Sequence, residues 1–304
     1  IGSNKTIIID KAQRIENIGL CIKLIYDNME NVKVIATGSS AFELSNKINE
    51  PLTGRKWEYN LYPISFAEMV GETSLLEEKR LLSQRLIYGY YPEIVNNPGQ
   101  EEELLRELSD SYLFKDILTW ERIQKPDKLE KLIQALAFQI GQLVSYHELG
   151  QLCGLNSETV ERYIDLLEKS FIVFRLTAFS RNLRNELKKS NKIYFYDNGM
   201  RNAVINQFNS IELRNDNGQL WENWFASERR KYLNNTKQKK NLYFWRTLAQ
   251  QEIDLIEVGN NKITAFECKW NQKAKGLISK SFTNAYPEAE THFIHPGNYD
   301  KYLV

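Results

Sequence analysis

The stretch EIDLIEVGNNKITAFECKW, residues 252–270, carries acidic residues and a lysine where two predicted strands meet. Asp254 interrupts the first apolar run, and Glu267 interrupts the second, with Lys269 two positions later. Because side chains alternate along a strand, Glu267 and Lys269 share a face, whereas Cys268 points to the opposite face. The residues GNN between the runs predict a tight turn, which places Asp254 across the hairpin from the other two.

This combination of residue types indicates chemistry on a phosphate ester. Two carboxylates that lie close together repel each other unless a cation neutralises them, and Mg²⁺ prefers oxygen ligands. A neighbouring lysine can stabilise the charge that builds on a phosphate in the transition state. We therefore predict metal-assisted phosphodiester cleavage, with Asp254 and Glu267 as ligands of Mg²⁺ and Lys269 as the group that orients water or phosphate. The alternative is an edge hairpin whose polar face simply lies in water.

The order of Asp254 followed by Glu267, Cys268 and Lys269 resembles the PD-(D/E)xK nuclease superfamily. That resemblance implies a restriction-endonuclease-like α/β domain, in which a helix precedes a hairpin of catalytic strands. It also implies an acidic residue on the helix, which Glu222 in LWENW matches. The proline that usually precedes the first acid is replaced by an isoleucine here, and some members of the superfamily keep the fold without cleaving DNA.

The elements around this hairpin indicate an α/β protein with four regions. Residues 1–60 read as strand, helix and strand, which predicts a parallel α/β unit that is buried on both faces of its sheet. Residues 61–140 are predicted to form a helical lid or linker. Residues 141–190 have the helix, turn, helix and strand order of a winged helix, and residues 191–304 contain the nuclease-like domain.

The first strand, KTIIID, resembles the second phosphate-site strand of AAA-type P-loop ATPases. This resemblance implies that Asp10 holds Mg²⁺, that Ser39 and Ser40 sense a γ-phosphate, and that Arg55 reaches a phosphate. Lys11 stands where a glutamate is usual, and an ammonium group cannot act as the base. A plain α/β core is the alternative interpretation of these residues.

The phosphate-binding loop G-x-x-x-x-G-K-[ST] is not found in these residues. Its backbone N–H groups and lysine provide much of the affinity for ATP. We therefore expect ATP to bind the intact protein but not to bind this chain tightly, and we expect the loop to belong to an upstream segment.

The order of segments along the chain resembles the archaeal and bacterial AAA-type ATPases that end in a domain of unknown function, DUF4143. The stretches that carry this resemblance are YGYYPEIV, SYLFKDIL, KIYFYDNGMRNAV, LWENWF and QEIDLIEV…FECKW. The family implies that nucleotide state repositions the C-terminal part on DNA or on a partner. The competing interpretation is a non-catalytic, nucleotide-responsive regulatory module with a vestigial nuclease fold.

Composition gives little information about partners. The 304 residues have a formal net charge of +1, so any surface for DNA must be local. The three cysteines are widely separated, which predicts a reducing, cytoplasmic setting. No run approaches the about 20 apolar residues that a membrane span needs, so we expect no membrane partner. The subunit number stays open, a homo-oligomer included.

Two basic segments, 181–192 and 237–240, favour contact with DNA, although lysine-rich loops are often merely solvated. The second helix of the predicted winged helix, within 157–169, carries four acidic residues against two basic ones. This charge balance argues against reading of the major groove. The winged helix could equally pack domains or subunits together.

Overall fold

The computed structural model describes residues 5–38, 56–110, 125–180, 190–247, 249–273 and 278–304. The chain divides into two compact units, Ile1–Leu61 with Lys169–Phe171, and Tyr62–Glu168 with Ile172–Val304. Both helix and sheet are present, in agreement with the predicted α/β class. Among the described residues, every helix is too short or too polar to cross a bilayer.

The smaller unit contains the predicted strand, helix and strand. β1 (Lys5–Ile9) pairs in parallel with β2 (Val32–Ala36), and α1 (Ile18–Asn28) connects them. Burial on both faces of this sheet was expected, and this prediction is wrong for the described residues. Ile8 and Ile35 face each other across the strands and are 69% and 41% exposed. The reason is that the small apolar core around α1 covers only the opposite face.

The larger unit begins with a series of helices. Ser65 caps the first of them through a reciprocal hydrogen-bond pair with Glu68, the arrangement known as a capping box. The helices in this series are α2 (Phe66–Glu72), α3 (Leu75–Arg80), α4 (Leu82–Tyr88), α5 (Pro92–Asn96), α6 (Glu101–Leu108) and α7 (Pro126–Phe138).

A seven-stranded mixed sheet follows, with the strand order β3-β5-β4-β6-β7-β8-β9. The strands are β3 (Leu143–Val144), β4 (Val173–Ala178), β5 (Asn191–Phe195), β6 (Asn241–Arg246), β7 (Glu252–Gly259), β8 (Lys262–Cys268) and β9 (Glu290–Ile294). The helices between them are α8 (Tyr146–Cys153), α9 (Ser157–Lys169), α10 (Asn198–Val204), α11 (Asn217–Asn235) and α12 (Lys280–Ala285). β4 pairs antiparallel with β5 and in parallel with β6, so this sheet continues from β3 into the hairpin.

The predicted hairpin is present. β7 and β8 pair antiparallel, with Leu255 opposite Phe266 and Gly259 opposite Lys262. Asn260 and Asn261 connect the strands with φ angles of 50° and 58°. Positive φ at both central residues is the type I′ turn, whose twist matches that of the flanking strands.

Candidate metal centre

Six charged side chains converge where α11 packs against β5 and β8. They are Lys192 on β5, Glu222 on α11, Glu252 and Asp254 on β7, Glu267 on β8 and Lys269 just after it. The sheet brings these residues together from segments that are far apart in the sequence. All four predicted site residues of the hairpin and its helix are therefore neighbours, together with two further groups.

Hydrogen bonds from α11 hold β5 in place beside this cluster. The side chain of Asn223 accepts from the Phe195 N–H at 2.7 Å and donates to the Phe195 carbonyl at 3.1 Å. The hydroxyl group of Tyr194 donates to Glu222 Oε1 at 2.6 Å. These contacts set the position of the Glu222 carboxylate relative to the strands.

Three carboxylates are close enough to share one cation. Glu222, Glu252 and Asp254 each offer an oxygen, and these oxygens lie within 4.8 Å of one another. Glu252 was not among the predicted site residues, although its spacing of two from Asp254 puts both side chains on the same face of β7. Hard divalent cations take such oxygen ligands, so the donor set fits Mg²⁺ or Mn²⁺.

Lys192 supplies the positive charge at this position in the structure. Its ammonium group lies 2.9 Å from Glu222 Oε1 and also forms an ion pair with Glu252, while the residue is only 1% exposed. Burial alone would lower the pKa of Lys192, but the carboxylates of Glu222, Asp254 and Glu252 raise it above its usual value. Lys192 therefore stays protonated, and a metal ion would compete with it for the same oxygens.

The buried position of Lys192 also corrects the interpretation of the basic segment 181–192. Lys192 was expected to belong to a surface for DNA, and its burial among carboxylates prevents contact with a phosphate backbone. A lysine at the end of a charged run looks solvated in sequence, but here it is the second residue of β5 and pairs with Glu222 on α11. Residues 181–189 lie outside the described residues.

Asp254 is buried, and its Oδ2 accepts a hydrogen bond of 2.8 Å from the backbone N–H of Cys268. Burial raises the pKa of this carboxyl well above its ordinary range, and the charges of Glu222 and Glu267 raise it further. Lys192 and the Cys268 hydrogen bond only partly oppose these effects. The ionised form of Asp254 would gain strongly from an additional cation.

Glu267 and Lys269 form an ion pair of 2.6 Å, as expected for neighbours on one face. Burial raises the pKa of Glu267, whereas Lys269 lowers it. The second oxygen, Oε2, is buried and has no hydrogen-bond partner among the described residues. A buried carboxylate oxygen without a partner is costly, and a bound cation would satisfy it. The cluster thus has both the donors and an unsatisfied oxygen for a metal ion.

The predicted nucleotide site at the ends of β1 and β2 lies only partly within the described residues. Asp10 lies exposed just after β1, and its Oδ1 accepts a hydrogen bond of 2.6 Å from the Thr37 hydroxyl group after β2. This hydrogen bond, with a further one from the backbone of Lys11, lowers the pKa of Asp10. The ends of the two strands therefore meet as expected. Ser39, Ser40 and Arg55 lie outside the described residues.

Models of known protein families match three consecutive regions of the chain. A model described as an AAA domain matches residues 1–70. A model of a domain of unknown function, DUF8612, matches residues 79–211, and a model of another, DUF4143, matches residues 217–303. The carboxylate cluster therefore lies mainly in the DUF4143 region, with Lys192 contributed by the region before it.

The relatives found by sequence are uncharacterised proteins. One from Haemophilus influenzae is 28% identical over 58% of this chain and 46% of its own length. One from Mycobacterium tuberculosis is 24% identical over 98% of this chain and 66% of its own length. The chain thus spans about half to two thirds of the length of these relatives. The crystal structure of protein VC1899 from Vibrio cholerae covers 99% of this chain at 14% identity with a TM-score of 0.22, which is too low to support an argument.

The matches to an AAA domain and to DUF4143 fall in the order that the sequence predicted. The chain thus combines a first region that matches an AAA domain with a last region that matches DUF4143.

Proposed function

We propose that the C-terminal part of this protein is a Mg²⁺-dependent nuclease that cleaves phosphodiester bonds in DNA, and that ATP binding by the intact protein controls its placement. The observation that carries this proposal is the convergence of Glu222, Glu252 and Asp254 on one point beside Glu267 and Lys269. A helix and a hairpin supply these groups, as in restriction-endonuclease-like domains.

Each side chain has a distinct role in this proposal. Glu222, Glu252 and Asp254 would hold the cation, whose chemistry when bound would be to polarise a phosphoryl oxygen and acidify a water. Glu267, whose Oε2 has no hydrogen-bond partner among the described residues, would add a further oxygen. Lys269, half-buried and paired with Glu267, orients the attacking water or stabilises the charge on the phosphate. Burial raises the pKa of Asp254, and a bound cation would favour its ionised form.

A second function is favoured by one specific contact. Lys192, which is itself almost completely buried, already neutralises Glu222 and Glu252 through ion pairs. A lysine that permanently replaces the metal ion would leave a folded but inactive nuclease domain. The protein would then be a nucleotide-responsive regulatory module, in which the cluster only holds β5, β7 and α11 together.

We interpret residues 141–190 as a winged helix that packs domains or subunits together. α8 and α9 precede the antiparallel pair β4 and β5, with β3 beside β5. Two of the acids on α9, Asp165 and Glu168, form ion pairs with Arg175 on β4. Arg175 therefore neutralises part of the negative charge of α9. DNA would instead contact the segment 237–240, where Lys237 and Lys239 are exposed.

The proposal is tested by incubating the chain with single-stranded, nicked and branched DNA in Mg²⁺ or Mn²⁺. Lys269→Ala and Asp254→Asn are expected to reduce cleavage by roughly 100-fold or more, because each removes a group that acts on the reacting phosphate or its metal ion. Lys273→Ala is the matched control, since Lys273 is exposed and lies only four residues beyond Lys269.

Two results would decide against the assignment. Cleavage that persists unchanged in Lys269→Ala would place the activity elsewhere or in a contaminant. A complete lack of cleavage by the wild type, together with no effect of Mn²⁺ on its melting temperature, would favour the regulatory module in which Lys192 replaces the metal ion.

A further inference from the structure

A polar cavity of about 370 Å³ lies at the C-terminal end of α11, where that helix meets the beginning of β6. Arg230 follows Glu222 by eight residues, which corresponds to about 12 Å along the helix axis, so this cavity is separate from the carboxylate cluster. The residues that line it are Tyr62, Arg230, Leu233, Asn234, Gln238, Lys240, Asn241, Leu242 and Tyr243.

Arg230 is the central charge of this cavity. Its guanidinium group lies over the rings of Phe174 and Tyr196, at 5.0 and 5.5 Å from their centroids. None of the ion pairs among the described residues includes Arg230, and its Nε is buried without a hydrogen-bond acceptor there. Although burial lowers the pKa of this group, the hydroxyl groups of Tyr196 and Tyr62 raise it, so the guanidinium stays charged.

Lys240 adds to the positive charge of the cavity. Its ammonium group lies 3.0 Å from Glu257 Oε2, but the same carboxylate also binds Arg229 at 2.6 Å. Among the described residues, the lining of the cavity thus contains two cations, Arg230 and Lys240, and no carboxylate. Such an excess in a partly enclosed space attracts an anion.

The geometry points to a binding site for a phosphoryl group in this cavity, with Arg230 and Lys240 as its charged ligands. A guanidinium group binds phosphate oxygens through paired hydrogen bonds, and the buried Nε of Arg230 is a donor that still needs an acceptor. The amide side chains of Asn234 and Gln238 line the same space and can bind further oxygens. The volume falls in the range of small-molecule sites, so it accommodates a phosphate with an attached sugar.

A phosphoryl group can reach this site from two sources, a small phosphorylated molecule or the 5′-phosphate at the end of a polynucleotide. Both are tested by titration of the intact chain in low salt with EDTA, which prevents cleavage and keeps the assay independent of any metal centre. Inorganic phosphate and AMP represent the small molecules and are followed by calorimetry. Oligonucleotides with a 5′-phosphate or a 5′-hydroxyl group represent the polynucleotide and are followed by fluorescence anisotropy.

We expect phosphate-dependent binding that weakens about 10-fold or more in Arg230→Gln and in Lys240→Gln, because each loses a charged hydrogen bond. Lys280→Gln is the control, since it removes the same charge from an exposed position that does not line the cavity, and it should bind as the wild type does. Lys240→Gln leaves Glu257 paired with Arg229 and therefore gives a folded variant even if Arg230→Gln unfolds.

Equal binding of AMP and inorganic phosphate would assign the site to small molecules. A preference for the 5′-phosphorylated over the 5′-hydroxyl oligonucleotide, with no binding of AMP, would assign it to polynucleotide ends. The proposal is overturned if no phosphate compound binds, if Arg230→Gln and Lys240→Gln bind normally, or if Lys280→Gln weakens binding as much as they do.

Discussion

The buried carboxyl group of Asp254 makes the stability of the fold depend on pH in a defined direction. Its pKa is raised above the ordinary value of 3.8, chiefly by burial and then by Glu222 and Glu267. The folded state therefore binds this proton more tightly than the unfolded state does. It follows that the contribution of Asp254 to stability decreases as the pH rises from 3.8 through the raised pKa.

We predict that Asp254→Asn, with a chelator present, has a higher free energy of unfolding than the wild type at pH 7, by on the order of 1 kcal/mol or more. The asparagine oxygen can still accept the Cys268 hydrogen bond, but no charge has to be buried. The difference should shrink as the pH is lowered toward 3.8. Urea unfolding followed by tryptophan fluorescence at several pH values measures it, and a difference that grows on acidification would contradict this account of Asp254.

Lys192 is the other residue whose charge can be tested directly. We predict that Lys192→Met lowers the free energy of unfolding by about 3–5 kcal/mol in EDTA, because Glu222 and Glu252 lose a buried partner. Mn²⁺ should recover much of this loss and should bind the variant more tightly than the wild type, since the competing ammonium group is gone. Thermal unfolding with and without Mn²⁺ measures both effects, with the exposed Lys273→Met as control. If Mn²⁺ stabilises neither protein, the cluster does not bind cations.

At the scale of elements, the attachment of β5 to α11 determines whether the cluster can form. Asn223 satisfies both backbone groups of Phe195 and also donates to Asn198 Oδ1 at 2.6 Å. We predict that Asn223→Ala lowers the free energy of unfolding by about 2–4 kcal/mol, because it leaves buried polar groups without partners. Asn235→Ala, at the exposed end of the same helix, should stay within about 0.5 kcal/mol. Chemical denaturation compares them, and equal effects would exclude the proposed attachment.

The hairpin turn provides a further prediction at this scale. Asn261 has a φ of 58°, a region that asparagine and glycine adopt more easily than alanine. Asn261→Ala should therefore lower the free energy of unfolding by about 1 kcal/mol, whereas Asn261→Gly should preserve it. Denaturant unfolding of both variants tests this, and an alanine variant as stable as the glycine variant would mean that the type I′ turn is not required.

The hairpin could be predicted because residues that are neighbours in the sequence determine its strands and its turn. Alternating residues specify β7 and β8, and the asparagine pair specifies the turn between them. The role of Lys192 could not be predicted, because β5 reaches β7 only through the pairing of β4 and β6, far from the motif in sequence. The alternation of side chains also places Glu252 on the same face as Asp254. The sequence does not distinguish carboxylates that share a cation from carboxylates that lie in water at the edge of a sheet. The exposure of Ile8 and Ile35 was missed for a related reason, since an apolar strand does not show which of its faces is covered.

At the scale of the whole molecule, every residue of the candidate metal centre lies in the larger compact unit. The seven-stranded sheet, α11 and both buried apolar clusters around them belong to this unit as well. We therefore predict that a chain of residues 62–304 folds cooperatively and shows the same Mn²⁺-dependent rise in melting temperature as the complete chain. Lys192→Met should strengthen this response equally in both forms, because the ion pairs it removes involve only residues of the larger unit. Calorimetric unfolding of the two forms, each with and without Mn²⁺, measures the result. A shortened chain that folds but has lost its response to Mn²⁺ would contradict this prediction. It would show that binding of the cation requires residues 1–61 as well.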